Sequence, residues 1–379
     1  MSIDLKLLRK RLAEHKVYDA WQYVNSLQET LTYMNVSYKM LLAVYEHRKD
    51  TIKKLNNDMF DTALKEGQYS FGQEDLKKTE LNIGGFVIDD VIFLRKTALE
   101  FFHYARVSME VLFQIVNAAL LGDKSYPVSD KGLLRKVLNE LRNKVEFKDL
   151  LDLLDTNKDD PNYKYLLAFD NYIKHIKTIL ITVKNSLIFG NIDEFVLNEF
   201  YYDGKLYKEE NAINKVQEIN NYVIKTVENI LLEVLKQIPN CLDNSHRVQS
   251  IKFKQIFKKT EIGSELEYIA FFIDVENDLS ELPQEIKVLP LIIKPNDEIY
   301  SFDFKFDKIF IRKKGGDESS IMGCAELKNG LETNEFYRIF EVKTCELKDY
   351  FQYIASFKTK HSRISMNIYA MEGSIIFIP

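Results

Sequence analysis

The sequence lacks the cysteines needed for a disulfide framework or a zinc site. Cys241, Cys324 and Cys345 are all it has, an odd number set far apart without paired metal spacing, which points to a reducing, cytoplasmic setting. No apolar run is long and clean enough to cross a bilayer. The opening MSIDLKLLRKRLAEHK carries charge throughout, so it reads as neither a signal peptide nor a membrane span. There is no Walker loop, no G-x-G-x-x-G, no nucleophile elbow and no Cys/His metal array. Nor does charge of one sign dominate. The net charge of −5 over 379 residues gives no global attraction to nucleic acid, so such binding would need a local basic patch. With 29% charged and 46% apolar residues the composition is that of a globular chain, long enough for two domains with separate cores. No internal repeat or low-complexity segment is evident.

What the sequence does have is a long, Gly- and Pro-free run at residues 94–121, LRKTALEFFHYARVSMEVLFQIVNAALL. Helical periodicity makes it the expected centre of a bundle. Its polar residues His103, Arg106, Glu110, Gln114 and Asn117 follow at steps of three, four, four and three. At about 100° per residue they form one narrow stripe on an apolar rod. Such a stripe is either the solvent-facing edge of the helix or half of a polar site completed by another element.

Two or three helices are expected over residues 4–56, from the spacing of Leu12, Trp21, Val24, Leu27, Leu31 and Met34. Gly67, Gly72, Gly84 and Gly85 then mark a loop-rich segment ending at Asp89 and Asp90. Either aspartate can cap the central helix or sit in its first turn, where the dipole favours an acid. LLRKVLNELRNKV and FKDLLDLLD read as shorter helices. Residues 163–188 read as one helix, with Leu166, Phe169, Ile173, Ile176, Leu180, Val183 and Leu187 forming a stripe over three heptads. Asn171, Lys174, His175 and Thr178 lie on its other face. Asp203-Gly204, between two β-prone runs, is a hairpin signal, because a type I′ turn needs positive φ at both central residues. Residues 209–237 return to helix, with Ile213, Val216, Ile219, Val223, Val227, Ile230 and Val234 on one side. After IPNCLDNSHR the pattern changes to short apolar and aromatic runs, among them YIAFFIDV, VLPLIIK, IYSFDFKFDKIFI, FYRIFEVKT, ISMNIYAM and SIIFIP. Tyr300, Phe302, Phe304 and Phe306 alternate as a half-buried strand would. ELKDYFQYIASFKTKH alone reads as helix in this part.

Three stretches carry chemistry. In DNYIKH, residues 170–175, Asn171 and His175 project from one helix face with Lys174 beside them. Histidine titrates near neutrality and can move a proton, lysine neutralises phosphate, and asparagine orients. The same spacing also describes an ordinary solvated helix face. HRVQSIKFKQIFKK, residues 246–259, is the one concentrated basic run. Lys252, Lys254 and Lys258 would track a phosphate backbone with Phe253 and Phe257 stacking on bases, or the segment is an amphipathic link with its phenylalanines inward. Phe340-Glu341-Val342-Lys343 ends an apolar strand ahead of a helix.

The apolar helix FFHYARVSMEVLFQIVN followed by DNYIKHIK resembles the HEPN superfamily of helical bundles, and FYYDGKLY resembles the β-hairpin that one bacterial branch carries before its last helix. The resemblance covers about residues 90–237. Many members are metal-independent ribonucleases acting as dimers in toxin–antitoxin, phage-defence and CRISPR-linked systems, with the signature R-x4-6-H. His175 falls on the family histidine and Asn171 on its polar position, but Asp170 stands at the arginine. An acid there would repel the scissile phosphate, so weak or absent cleavage is expected, and Asp170→Arg is expected to restore the signature. Arg106, with His103 and Glu110 nearby, would have to substitute from across the bundle.

Glu341 and Lys343 resemble the second half of the PD-(D/E)xK nuclease motif, in which acids hold Mg²⁺ and the lysine positions water. Asp303 would supply the other acid. Glu-x-Lys also recurs at Glu14, Glu146, Glu285, Glu326 and Glu346.

The expected fold is therefore α+β by domain: a helical bundle over residues 1–240, then a β-rich domain over 250–379. The expected function is RNA binding or metal-free RNA cleavage by a cytoplasmic HEPN-like homodimer of an antiviral-defence or toxin–antitoxin system, without a cofactor. Two readings stay open beside it: a non-catalytic module docking a protein partner through the C-terminal domain, and a metal-dependent DNA nuclease there.

Overall fold

The computed structural model describes residues 4–15, 17–68, 72–128, 132–179, 181–184, 194–241, 249–261, 263–293, 299–301, 306–328, 338–360 and 374–378. Its fold is mixed, mostly helical in the N-terminal part and β-rich in the C-terminal part. The chain divides into two compact units. One comprises Met1–Arg11, Tyr23–Leu120 and Gly132–Asn240, and the other Leu12–Gln22, Leu121–Lys131 and Cys241–Pro379.

The order begins with α1 (Leu5–Glu14), the 49-residue α2 (Tyr18–Glu66) and a short α3 (Gln73–Lys77). A hairpin of β1 (Leu81–Ile83) and β2 (Phe86–Ile88) leads into α4 (Asp90–Leu121). Both aspartates at that entry are used. Asp89 caps the helix by accepting from the Ile92 N–H at 2.9 Å, which satisfies one of the donors a helix start leaves open. Asp90, fully buried, receives Arg48 Nη1 of α2 at 2.6 and 2.7 Å on its two oxygens, and Thr79 Oγ1 at 3.3 Å. A buried carboxylate is tolerable only when paired in this way, so the contact fixes α4 against α2. Phe101, Phe102, Ala105, Met109, Leu112 and Ile115 then run buried through the bundle.

Next come α5 (Leu133–Leu141), α6 (Lys148–Asp159) and α7 (Pro161–His175). Asp160 caps α7, accepting from the Asn162 N–H at 2.7 Å ahead of a first-turn proline. The expectation of one helix over 163–188 is corrected here. The N–H groups of Ile176 and Lys177 both close on the Tyr172 carbonyl, Ile176 is 57% exposed rather than core, and Val183 lies in a strand, β3 (Ile181–Lys184). The cause is composition. Ile176, Thr178, Ile179, Ile181, Thr182 and Val183 are β-branched, stiff at χ1 and better placed on a pleated surface. Leu180 and Leu187 lie outside the described residues.

A small sheet joins β3, β4 (Glu194–Leu197) and, across a hairpin of β5 (Phe200–Tyr202) and β6 (Lys205–Tyr207), β7 (Glu210–Asn211). The hairpin has the expected turn, with Asp203 at φ 48° and Gly204 at φ 76°. Helix α8 (Ala212–Gln237) buries Ile213, Val216, Ile219, Val223, Val227, Ile230 and Val234, the face its spacing implies.

The β-rich unit contains β8 (Gln249–Thr260), β9 (Gly263–Val275), β10 (Glu285–Ile293), β11 (Ile299–Ser301), β12 (Lys308–Lys313), β13 (Ile321–Leu327), β14 (Arg338–Thr344), α9 (Leu347–Lys360) and β15 (Ser374–Ile378). The strand order is β11-β10-β14-β13-β12-β9-β8-β15, and β15 also pairs with β10. Seven strands thus close on themselves, which removes the unpaired edges that invite aggregation. Only the β9–β12 pair is parallel among them. Phe271, Phe306 and Phe340 stack on one face, at 4.1 and 5.5 Å between ring centroids. On the other, α9 lays Tyr350 and Tyr353 against Phe310. With both faces covered, β9 reads as the near-continuous apolar run YIAFFIDV. Phe302, Phe304 and the run ISMNIYAM fall outside the described residues, while Phe306 is buried. No described helix is long and apolar enough to cross a membrane.

Candidate functional site

A partly exposed polar cluster of the helical unit lies where α4 and α7 pack. Phe102 of α4 and Phe169 of α7 meet at 4.2 Å between centroids, extended by Tyr165 and by Phe200 of the hairpin. Aromatic pairs of this kind fix the facing of two helices as well as burying area. The residue after each phenylalanine is polar, His103 and Asp170, so the same contact sets these two side chains beside one another. His103 Nδ1 lies 3.8 Å from Asp170 Oδ1. That is longer than a hydrogen bond and short enough for a charge to be felt. Asp170 is only 5% exposed, and its second oxygen receives Lys174 Nζ at 2.7 Å, one turn along α7. A buried carboxylate, a half-exposed imidazole and a lysine thus share one spot.

The other expected site residues distribute differently. Arg106 is committed to Glu110 on its own helix, Nη2 to Oε1 at 2.6 Å. Its Nε and Nη1 are buried without a hydrogen-bond partner among the described groups. Burial raises the Tyr163 phenol above its ordinary range, with nearby Arg106 opposing and Glu110 reinforcing the shift. Arg106 therefore faces the start of α7, not its end. Asn171 is half-buried and His175 is exposed as the last residue of α7. Among the described residues neither forms a hydrogen bond or ion pair with His103 or Arg106. Along the α4 stripe, exposure falls from His103 to the buried Asn117, so the stripe is a wet edge at one end only.

On the β-rich unit, the basic run is strand β8. Lys252 ion-pairs with Asp274 at 2.7 Å, and Asp274 also receives Arg312 Nε at 2.8 Å. Phe253 packs partly buried against the core. The side chains of Lys254, Lys258 and Phe257 lie outside the described residues. Burial alone would raise the Asp274 carboxyl, but Arg312 and Lys252 outweigh it and hold the group below its usual range.

Glu341 and Lys343 sit on the same face of β14, 3.0 Å apart. Register places Glu285, Glu341, Glu326 and Lys308 in one row across four strands. Each acid has a lysine: Lys328 on Glu285, Lys343 on Glu341 and Glu326, Lys308 on Glu326 at 2.6 Å. Asp303 lies outside the described residues. Among the described residues no three acidic, imidazole or thiol groups converge as a metal ion requires. Beside this row a cleft of about 460 Å³ is lined by Asp307, Lys308, Glu326, Asp349, Gln352 and Tyr353, among others.

Two features had no signal in the spacing of the sequence. Cys324 of β13 is cross-strand partner to Lys343, which brings its thiol to that of Cys345, two residues further on. Their shared hydrogen bond holds Cys324 below the ordinary thiol range, against the effect of burial and with help from Lys308, and pushes Cys345 up. The cysteines that look isolated along the chain therefore include a contacting pair. The second feature is the pairing of Asp170 with His103 of α4, which lie far apart along the chain.

No curated protein and no solved structure matches the chain. Residues 249–375, from the start of β8 into β15, match the family model described as a domain of unknown function (DUF8310).

Proposed function

We propose that the helical unit handles RNA at the crossing of α4 and α7, as a HEPN-like bundle that needs no metal, with His103 as its acid–base group. The observation that carries the reading is the half-exposed imidazole of His103 beside a nearly buried carboxylate that a lysine also holds. Asp170 lies 3.8 Å from Nδ1, so its charge favours a proton on that nitrogen and a lone pair on Nε2. Nε2 then takes the proton of a ribose 2′-OH as its oxygen attacks the adjacent phosphorus, the bond to the 5′ oxygen breaks to leave a 2′,3′-cyclic phosphate, and the imidazolium returns its proton to the departing oxygen. Lys174, on the same carboxylate, offers charge to the phosphate. Such a carboxylate–imidazole pair is also what a proton-transfer site needs when its histidine must be held in one tautomer.

Asp170 takes the place of the family arginine without facing the phosphate: it is spent on Lys174 and His103. His175, on the signature position at the open end of α7, is the second candidate for moving a proton. A two-fold dimer through this unit, in an antiviral-defence or toxin–antitoxin setting, belongs to the same reading by resemblance. The test is cleavage of single-stranded RNA in EDTA by the full chain and by His103→Ala and His175→Ala. Loss with His103→Ala supports the assignment. Loss with His175→Ala alone moves the acid–base role to the signature histidine. Cleavage that stops in EDTA and in Glu341→Ala transfers the activity to the β-rich unit, where Glu341 and Lys343 are the reading's only described residues.

A further inference from the structure

Beside His103 the bundle carries an exposed aromatic shelf that the acid–base reading does not use. Tyr33 of α2 is 50% exposed, although a tyrosine in a helical bundle would normally turn its ring inward. Its ring leans on Tyr104 of α4 at 5.2 Å between centroids and 44°. Tyr104 in turn lies 5.4 Å from the His103 ring; His103 lies 3.8 Å from Asp170, and Asp170 receives Lys174 at 2.7 Å. Tyr33, Tyr104, His103 and Lys174 therefore form a contiguous band across three helices, π-faces at one end and a cation at the other. Ser108 Oγ donates to Thr30 Oγ1 at 3.0 Å and ties α2 to α4 just beside the shelf, so the tyrosines ride on fixed elements.

We infer that Tyr33 and Tyr104 form a stacking platform for an unpaired base of single-stranded RNA, seating a nucleotide whose phosphate side faces Lys174. The inference rests on the RNA reading above and adds its substrate class. Every base has a π-face, so a platform of tyrosines accepts any sequence but not a base already stacked within a duplex. Charge favours this occupant over a second protein. Lys174 places one donor on Asp170 but has 43% of its side chain exposed, and its other N–H donors are open to a phosphate.

The test is fluorescence anisotropy of the full chain with labelled RNA of about ten nucleotides, within the range such sites span, made with 2′-fluoro sugars so that it cannot be cut through its 2′ oxygen. Three probes are compared: the single strand, the same strand in a duplex, and a strand with abasic sites. Tight binding of the single strand over the other two is expected. Tyr33→Ala should weaken it roughly tenfold, Tyr33→Phe should keep it, and neither should alter binding of the abasic strand. Tyr33 is exposed on a long helix, so the alanine variant keeps the fold, which circular dichroism checks. If the single strand binds and Tyr33→Ala leaves it unchanged, the platform is overturned while the RNA reading stands. Equal binding of duplex and single strand overturns it too. If no RNA binds, both readings fall. A change of oligomeric state on Tyr33→Ala with RNA affinity intact assigns the shelf to a protein interface instead.

Discussion

Asp170 and Asp90 are the two buried carboxylates among the described residues of the helical unit, and they differ in how they are paired. Asp90 is buried with its partner Arg48, both almost sealed from water. Removing one member of such a pair leaves a naked charge, at a cost of about 3–5 kcal/mol, whereas replacing both with apolar residues of similar volume is close to neutral. Asp90→Ala should therefore lower the urea midpoint sharply, and Arg48→Met with Asp90→Leu should restore most of it. Asp170 is paired with a lysine that water still reaches, so its removal should cost less, about 1–3 kcal/mol. The substitution that the signature suggests, Asp170→Arg, sets a guanidinium against Lys174 in a site with no room for it. It should destabilise the protein by a similar amount and add no cleavage to that of the wild type. A stable Asp170→Arg variant with new metal-free activity would restore the signature reading over the structural one.

At the scale of elements, the turn and the sheet offer the clearest checks. Gly204 follows Asp203 in the left-handed region, where a β-branched side chain is strained by about 1–2 kcal/mol. Gly204→Val should lose that much in chemical denaturation, and Gly204→Asn far less. In the sheet, Asp274 binds its proton more weakly when folded than when unfolded. Its ion pairs with Arg312 and Lys252 thus contribute fully above the unfolded value of about 4 and are lost as pH falls through the folded one. Unfolding followed from neutral pH to below pH 4 should show an acid-dependent loss of stability that is reduced in Asp274→Asn.

Helices with one clean period were legible in the sequence. The spacing of α8 named its buried face, the aspartates at 89 and 90 named the start of α4, and Asp203-Gly204 named its turn. The end of α7 was not legible. No Gly or Pro marks it, and Ile176, Val183 and Leu187 continue a heptad that the β-branched run breaks. Strand β13, IMGCAEL, also passed unread, because its small residues weaken the alternation that identifies a strand. For the site, spacing brought out His103 and the residues around Asp170 separately. Their pairing, and the meeting of Tyr33 with Tyr104, depend on how helices pack, which sequence distance does not encode.

Across the whole molecule, the helical unit gathers His103, Asp170 and Lys174, and the β-rich unit carries a row of glutamates, Glu285, Glu341 and Glu326, each held by a lysine. The account assigns the chemistry to the first. The most direct measurement is single-turnover cleavage of single-stranded RNA by the full chain in excess EDTA, wild type beside His103→Ala. A slow wild-type reaction is expected, with a loss of at least about 100-fold in His103→Ala, the usual scale for a general acid–base group. Cleavage that is unchanged in His103→Ala, or that needs a divalent metal, would contradict it.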